Sequence, residues 1–236
     1  MPIESASGTQ HLTKRDFAYQ TLRDAILRCE VRPGEKLVID ELARRLNVSI
    51  IPIREAIQLL QSEGLVVTVP HVGATVAPVS RESIQDVFIL LEALETAATR
   101  LVAERGDADE LNALDALVRE MDRVVELKRY AQWAGLNRRF HLTIGAAPGL
   151  DMLREMTERV LSRWDRIRQF YFKGVLVRRA EQAQDEHRAI LAAMRARDLP
   201  ALEGLVRAHN RRALEAYMHY LEEPQEPVAV TRRNAT

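Results

Sequence analysis

The chain has 236 residues, of which 47% are apolar, with 34 basic and 34 acidic residues and one cysteine, Cys29. That is enough apolar content for one large domain or two modest ones, and the charge is too balanced for a disordered chain. A single thiol excludes an internal disulfide framework and a thiolate zinc cluster, so any metal must rest on histidine and oxygen.

Zero net charge withholds the simplest electrostatic argument for nucleic acid, so a DNA-binding assignment has to come from pattern. The opening MPIESASGTQ lacks the basic stretch and apolar core of a secretory signal, and no later apolar run is long enough to span a bilayer. The expectation is a cytoplasmic protein with no membrane partner. Residues 1–10 and 223–236 read as flexible ends, the latter carrying two prolines and no periodicity. Between them the texture changes once, which predicts one domain over 11–78 and a second over 79–222.

The first domain opens with a helix around Tyr19, Leu22, Ala25 and Ile26 that stops before the turn Arg32-Pro33-Gly34. A short helix follows, with Asp40 and Glu41 in its first turn, where carboxylates suit the helix dipole, and with Leu42, Ala43 and Leu46 as its stripe. Asn47 ends it, and Ser49 is placed to cap a further helix that tolerates Pro52 in its first turn and buries Ile53, Ala56, Ile57 and Leu60. Two helices joined by so short a turn form a helix-turn-helix, a geometry that plain helical packing also produces. Two β-branched runs, Leu65 to Val69 and Ala74 to Pro78, flank Pro70-His71-Val72-Gly73 and read as a hairpin, the wing expected beside such a motif. With the core stripe inward, Ile51, Arg54, Glu55 and Gln58 face out, and a helix with that face fits the major groove, Arg54 reading guanine or phosphate.

The segments PGEKL, ELARRLNVS, PIREAIQLLQSEGLV and HVGATV, in that order and spacing, resemble the N-terminal domain of the GntR family of bacterial transcription regulators. The resemblance implies a winged helix-turn-helix whose DNA contacts fall at Ser49, Ile51, Arg54, Gln58, His71 and Gly73. Many members carry arginine and threonine after the capping serine, where this chain has Ile50 and Ile51. Ile51 is available to thymine methyls, and Ile50 is expected to pack against the wing.

After Ser80 the apolar spacing is helical almost throughout. Six helices are expected, over 81–105, 107–128, 130–146, 150–172, 176–197 and 199–221, with breaks at Gly106-Asp107, Pro148-Gly149, Gly174 and Asp198-Leu199-Pro200. The fold class is therefore mainly α, a winged helix-turn-helix followed by an antiparallel all-α bundle. His187 and His209 each lie eleven residues from Asp198, so in an antiparallel hairpin they stand level, each about 16 Å from the turn. Asn137 and His141 are one turn apart on the third of these helices and share a face. Three imidazoles and an amide oxygen suit a divalent transition metal, although level histidines also arise by chance in helical hairpins.

The segments AGLNRRFHL, DEHRAIL and VRAHN resemble the FCD domain, the ligand-sensing domain of the FadR-like GntR branch. The resemblance implies a metal site at Asn137, His141, His187 and His209, for zinc, nickel, cobalt or manganese. In that domain an aspartate commonly stands where this chain has Asn137, and the lost charge weakens the expected affinity. Members that sense carboxylates often have arginine at the place of Leu91, which here reads as core; Arg163 or Arg166 are alternative partners for an anion. The expected function is a ligand-responsive regulator, a repressor, that binds a pseudo-palindromic operator as a homodimer and answers to a small-molecule effector, an organic acid among the candidates. The rival reading is a metal-dependent hydrolase or lyase on the same histidines. Its nearest base is Glu186, which helical geometry turns about 100° away from His187.

Overall fold

The computed structural model describes residues 13–105, 108–171 and 175–223, and the chain divides into two compact units, Met1–Val79 and Ser80–Thr236. The ends expected to be flexible at 1–10 and 223–236, apart from Glu223, together with the breaks expected at Gly106-Asp107 and Gly174, lie outside the described residues.

In the first unit Thr13 caps α1 (Lys14–Leu27), its hydroxyl accepting from the Asp16 amide at 3.1 Å. Ala18, Leu22 and Ile26 recur every four residues, and this buried stripe is the face of the helix that packs on the third helix of the unit. α2 (Ile39–Leu46) ends at Asn47, whose left-handed backbone (φ 52°) turns the chain sharply. α3 (Ile50–Ser62) buries Ile53, Ala56, Ile57 and Leu60 against α1 and α2. Ser49 holds the extended conformation of an N-cap, but its side chain makes no capping hydrogen bond, so the capping role read from the sequence is one of backbone only.

The wing is the antiparallel pair β1 (Val66–Val69) and β2 (Gly73–Val76), in register Val66 to Val76 and Val69 to Gly73. The second strand starts at Gly73 and stops at Val76, a shift from the expected 74–78. Gly73 already pairs with Val69, while the Ala77 amide turns to bond the Leu65 carbonyl at 2.9 Å. The PGEKL segment runs along the free edge of β2, with the Gly34 amide on the Val76 carbonyl and the Leu37 amide on the Ala74 carbonyl, both 2.9 Å. His71 and Gly73 both have positive φ, 61° and 100°, a backbone that glycine takes without strain and that histidine tolerates at a tight turn.

Among its described residues the second unit is six helices: α4 (Arg81–Arg105), α5 (Ala108–Glu126), α6 (Tyr130–Ala146), α7 (Asp151–Phe170), α8 (Val177–Ala196) and α9 (Leu199–Glu222). Arg197, left-handed at φ 55°, ends α8, and Asp198 starts α9 by accepting from the Ala201 amide at 3.2 Å, so the two helices fold back on each other. α4 packs against α6, α7, α8 and α9, which makes it the central helix of the bundle. α6 and α7 approach closely at Gly145, where an added Cβ would stand 2.6 Å from the Thr157 methyl carbon. The core gathers Leu114, Met121, Trp133, Phe140, Met194 and Leu202, each nearly or fully buried and worth about 1.5–3 kcal/mol on removal from water. This packing holds the faces of α4, α6, α8 and α9 rigidly toward one another.

Candidate functional site

Inside the bundle, His141 on α6, His187 on α8 and His209 on α9 meet, all three buried. One nitrogen from each lies within 4.8 Å of the others, and the His187 and His209 rings are centred 4.7 Å apart. Asn137, one turn before His141 and 3% exposed, completes the candidate set.

Each imidazole is held from behind. His141 Nδ1 meets Glu95 Oε1 at 2.5 Å, and His209 Nδ1 meets Glu186 Oε2 at 2.7 Å. His187 Nδ1 points at Gln184 Oε1, 3.4 Å away, an oxygen that also accepts from the Trp133 indole at 3.1 Å. The Gln184 amide in turn donates to the Val118 carbonyl and to Asp122, which fixes its orientation. All three acceptors require Nδ1 to carry a proton, which in a neutral ring leaves Nε2 its lone pair. Burial, reinforced by His209 and His141, pushes the His187 pKa well below its usual value. Burial likewise lowers that of His209, against the opposing pull of Glu186. Both rings are thus held neutral, the form that binds a metal.

The carboxylates behind them stay ionised. Burial works against Glu95, but His141, His209 and Asn210 together outweigh it and the pKa falls below the ordinary value. Burial also opposes Glu186, yet His209 and Arg179 bring it down to about 2. Asn210 donates to Glu95 at 2.8 Å, and Arg179 donates to Glu186 at 2.6 Å.

The donor set fits a small divalent ion on two observations. Asn137 Oδ1 and His187 Nε2 are buried with no hydrogen-bond partner, an expensive arrangement unless something else meets their lone pairs. A cavity of about 40 Å³ adjoins Asn137 and is lined by it, His141 and His209 together with Phe88, Trp164 and Tyr217, while His187 stands behind that wall.

Leu91 lies on the wall of that cavity, 3% exposed. Neither Arg163 nor Arg166, the arginines considered for an anion, is among its lining residues; the cation that is there is Arg179, engaged with Glu186. Glu186, weighed as the base of a hydrolase, is instead engaged with His209 Nδ1 and with Arg179.

The sequence reading had missed Glu95, Gln184, Arg179 and Asn210 as supports, and had weighed Glu186 only as a base. One signal was present for Glu95: an acid in the middle of the apolar stripe Ile84, Phe88, Leu91, Ala98, Val102 is costly without a partner.

In the first unit Ser49, Ile51, Arg54, Gln58, His71 and Gly73 are all exposed, the first four on α3 or its cap and the last two on the wing. Ile51 is the most exposed large apolar residue of this unit, at 67%. Ile50, expected to pack on the wing, is 41% exposed, because the inward stripe of α3 begins only at Ile53.

Residues 14–76 match the bacterial regulatory proteins of the gntR family, and residues 86–212, over half of the chain, match the FCD domain. The chain belongs to the GntR family of transcription regulators. The HTH-type transcriptional repressor GlaR of Escherichia coli is 29% identical over 197 residues, 81% of this GntR-family chain and 90% of the relative. An HTH-type regulator from an unstable DNA locus of Streptomyces ambofaciens is 30% identical over 204 residues, covering 86% and 84% of the two chains. The solved structure of Escherichia coli McbR/YncC has the same fold, with a TM-score of 0.69 at 22% identity, over 89% of this chain and 100% of that one. These relatives are regulators, not enzymes, and this GntR-family protein is a transcription regulator with an FCD domain. No helix among the described residues is long and apolar enough to cross a membrane.

Proposed function

We propose that the protein is a ligand-responsive repressor whose buried histidine site holds a divalent transition metal beside its effector. The reading is supported above all by one observation: a buried histidine triad with two orphaned lone pairs, at Asn137 Oδ1 and His187 Nε2, meets a cavity through Asn137, His141 and His209, in a chain that also carries a winged helix-turn-helix. Asn137, His141, His187 and His209 would hold the ion, whether zinc, nickel, cobalt or manganese. When bound, the ion would offer an open coordination position to an oxygen of an effector such as a small organic acid.

A homodimer sets two recognition helices and two wings on a pseudo-palindromic operator. Arg54 and Gln58 read base edges, Ile51 meets thymine methyls, and Ser49, His71 and Gly73 approach the backbone or the adjacent groove. The repressor names of relatives favour repression over activation. Because the effector can act only through unequal affinity for two states of the dimer, operator DNA must change effector affinity by the same factor.

The test is the fluorescence anisotropy of the protein's own promoter fragment, titrated across metals and candidate acids. Specific binding that one effector releases is expected, with a steep salt dependence from phosphate contacts. Absence of a specific complex under every condition would sink the reading.

A further inference from the structure

Two hollows adjoin the buried cavity, and each shares two wall residues with it. On one side a groove of about 870 Å³ runs between α4 and α9, lined by Ile89, Ala93 and Ala97 and by the charged Arg100, Glu203 and Arg207. Phe88 and Asn210 line both this groove and the cavity, and so stand between them. On another side a hollow of about 180 Å³ between α8 and α9 shares Val175 and Arg179 with the cavity. All four shared residues are buried, so a ligand has to displace part of a wall to enter.

The two walls differ in what it takes to open them. Arg179 donates to Glu186 at 2.6 Å and to the His209 carbonyl at 3.0 Å, and both members of that ion pair are buried. Moving Arg179 strips a buried carboxylate of its cation, among the costliest changes an interior can undergo. Val175 beside it is small, and its amide is tied to the Tyr171 carbonyl at 3.2 Å, so rotation of its side chain clears little space. At the other wall Asn210 is also held, donating to Glu95 at 2.8 Å and to the Val206 carbonyl at 3.2 Å. Phe88 has no polar group to lose. Its ring packs on Tyr217 with centroids 5.6 Å apart, and a swing toward the groove gives up dispersion contacts alone. As the bulkiest apolar group in either shared wall, it also opens the widest passage when it moves.

We propose that the groove between α4 and α9 is the entrance to the buried site and that Phe88 is its gate. With the ring swung into the groove, small molecules and ions pass to the cavity; with the ring returned, they are sealed in. The inference rests on the reading of this cavity as the effector site, and adds to it a route and a residue that sets the rate of exchange. The charges along the groove suit an entrance: Arg100 meets Glu203 and Arg211 meets Glu92, both at 3.1 Å, so neither sign of ligand faces an uncompensated like charge there.

Trp133 and Trp164, the chain's two tryptophans, both line the cavity, so a neutral quencher reports the gate with no ligand bound. The experiment is acrylamide quenching of the tryptophan fluorescence lifetime in the metal-free full chain. Phe88→Ala is expected to raise the quenching rate constant about tenfold, and Phe88→Leu, which keeps most of the plug, by less than about threefold. Val175→Ala at the other wall, and Leu114→Ala as a control for general loosening, should each change it by less than about twofold. Ala93→Phe, at an exposed position in the groove, should lower it. In stopped-flow zinc exchange, Phe88→Ala should speed binding and release together, about tenfold each, because a gate alters the barrier and not the end states. Quenching of Phe88→Ala equal to that of the wild-type chain overturns the inference. So does an equal rise in Val175→Ala, which puts the entrance at the other wall, or in Leu114→Ala, which makes the rise mere loosening. If Phe88→Ala does not fold, Ala93→Phe decides, and unchanged quenching there overturns the inference. Absence of zinc binding strikes the metal reading and leaves the quenching to decide the gate.

Discussion

The two units place their chemistry on opposite sides of the water boundary. In the winged helix-turn-helix the candidate contacts are exposed, and the packing beneath them is a separate set of residues: Ile53, Ala56, Ile57 and Leu60 hold α3, while Ile51, Arg54 and Gln58 face out. In the helical unit the candidate donors lie within the core, flanked by Trp133, Phe140 and Trp164. An exposed face is free to change one residue without a structural penalty, and Ile50 and Ile51 stand there outside the buried stripe of α3. A buried polar site has no such freedom, because every donor and acceptor must be met inside the protein. At Asn137 one such acceptor, Oδ1, has no hydrogen-bond partner.

The contrast is broken most severely by Arg179→Ala. It strips Glu186 of its buried cation and is expected to cost about 3–5 kcal/mol in urea unfolding of the full chain, with Arg212 and the His209 ring as the partners that remain. A loss under about 1 kcal/mol would mean that water reaches Glu186 and that the site is not sealed as described. Glu95→Gln keeps the shape but loses the charge behind His141, and metal affinity should fall about 10–100-fold with little change in operator affinity.

On the exposed side, Arg54→Ala should weaken operator binding by about 1–3 kcal/mol and relax specificity at one position. Its unfolding midpoint should remain that of the parent, since surface changes away from special features stay within about 0.5 kcal/mol. Destabilisation comparable with Arg179→Ala would erase the distinction between the units.

The smallest effect concerns pH. His187 and His209 have lowered pKa values in the fold, so the unfolded chain binds their protons first, near 6.5. Unfolding therefore takes up protons, and the stability of the metal-free protein is fully present above that pH and declines as pH falls through it. Glu186, lowered from 4.5 to about 2, adds a second decline in the acid range. Thermal melts of the metal-free chain at a series of pH values check this, and a midpoint that rose on acidification through pH 6.5 would contradict neutral imidazoles.

Much of this arrangement was legible one element at a time. Apolar spacing placed α4 at its observed bounds and α6 likewise, because a long amphipathic stripe with clear stops has little competition. Asn47 and Gly64 marked helix ends through backbone conformations that few residues adopt. The level pairing of His187 and His209 followed from their equal distance to Asp198, and Asn137 with His141 from one helical turn. The β2 boundary was harder, since a four-residue strand carries almost no periodic signal and its end depended on a hydrogen bond between Ala77 and Leu65.

The sequence by itself determined the elements, which rest on local spacing, and through its resemblance to the FCD domain it nominated the four candidate donors. The tertiary structure alone decided which nitrogen of each imidazole is engaged from behind, which carboxylate stands behind which ring, and that Asn137 faces a cavity without a free cation. Glu95 meets His141 across 46 positions and Asn210 across 115, and no local pattern specifies such a meeting. It is set by how α4, α6 and α9 pack, through contacts that are non-directional and summed over the whole core.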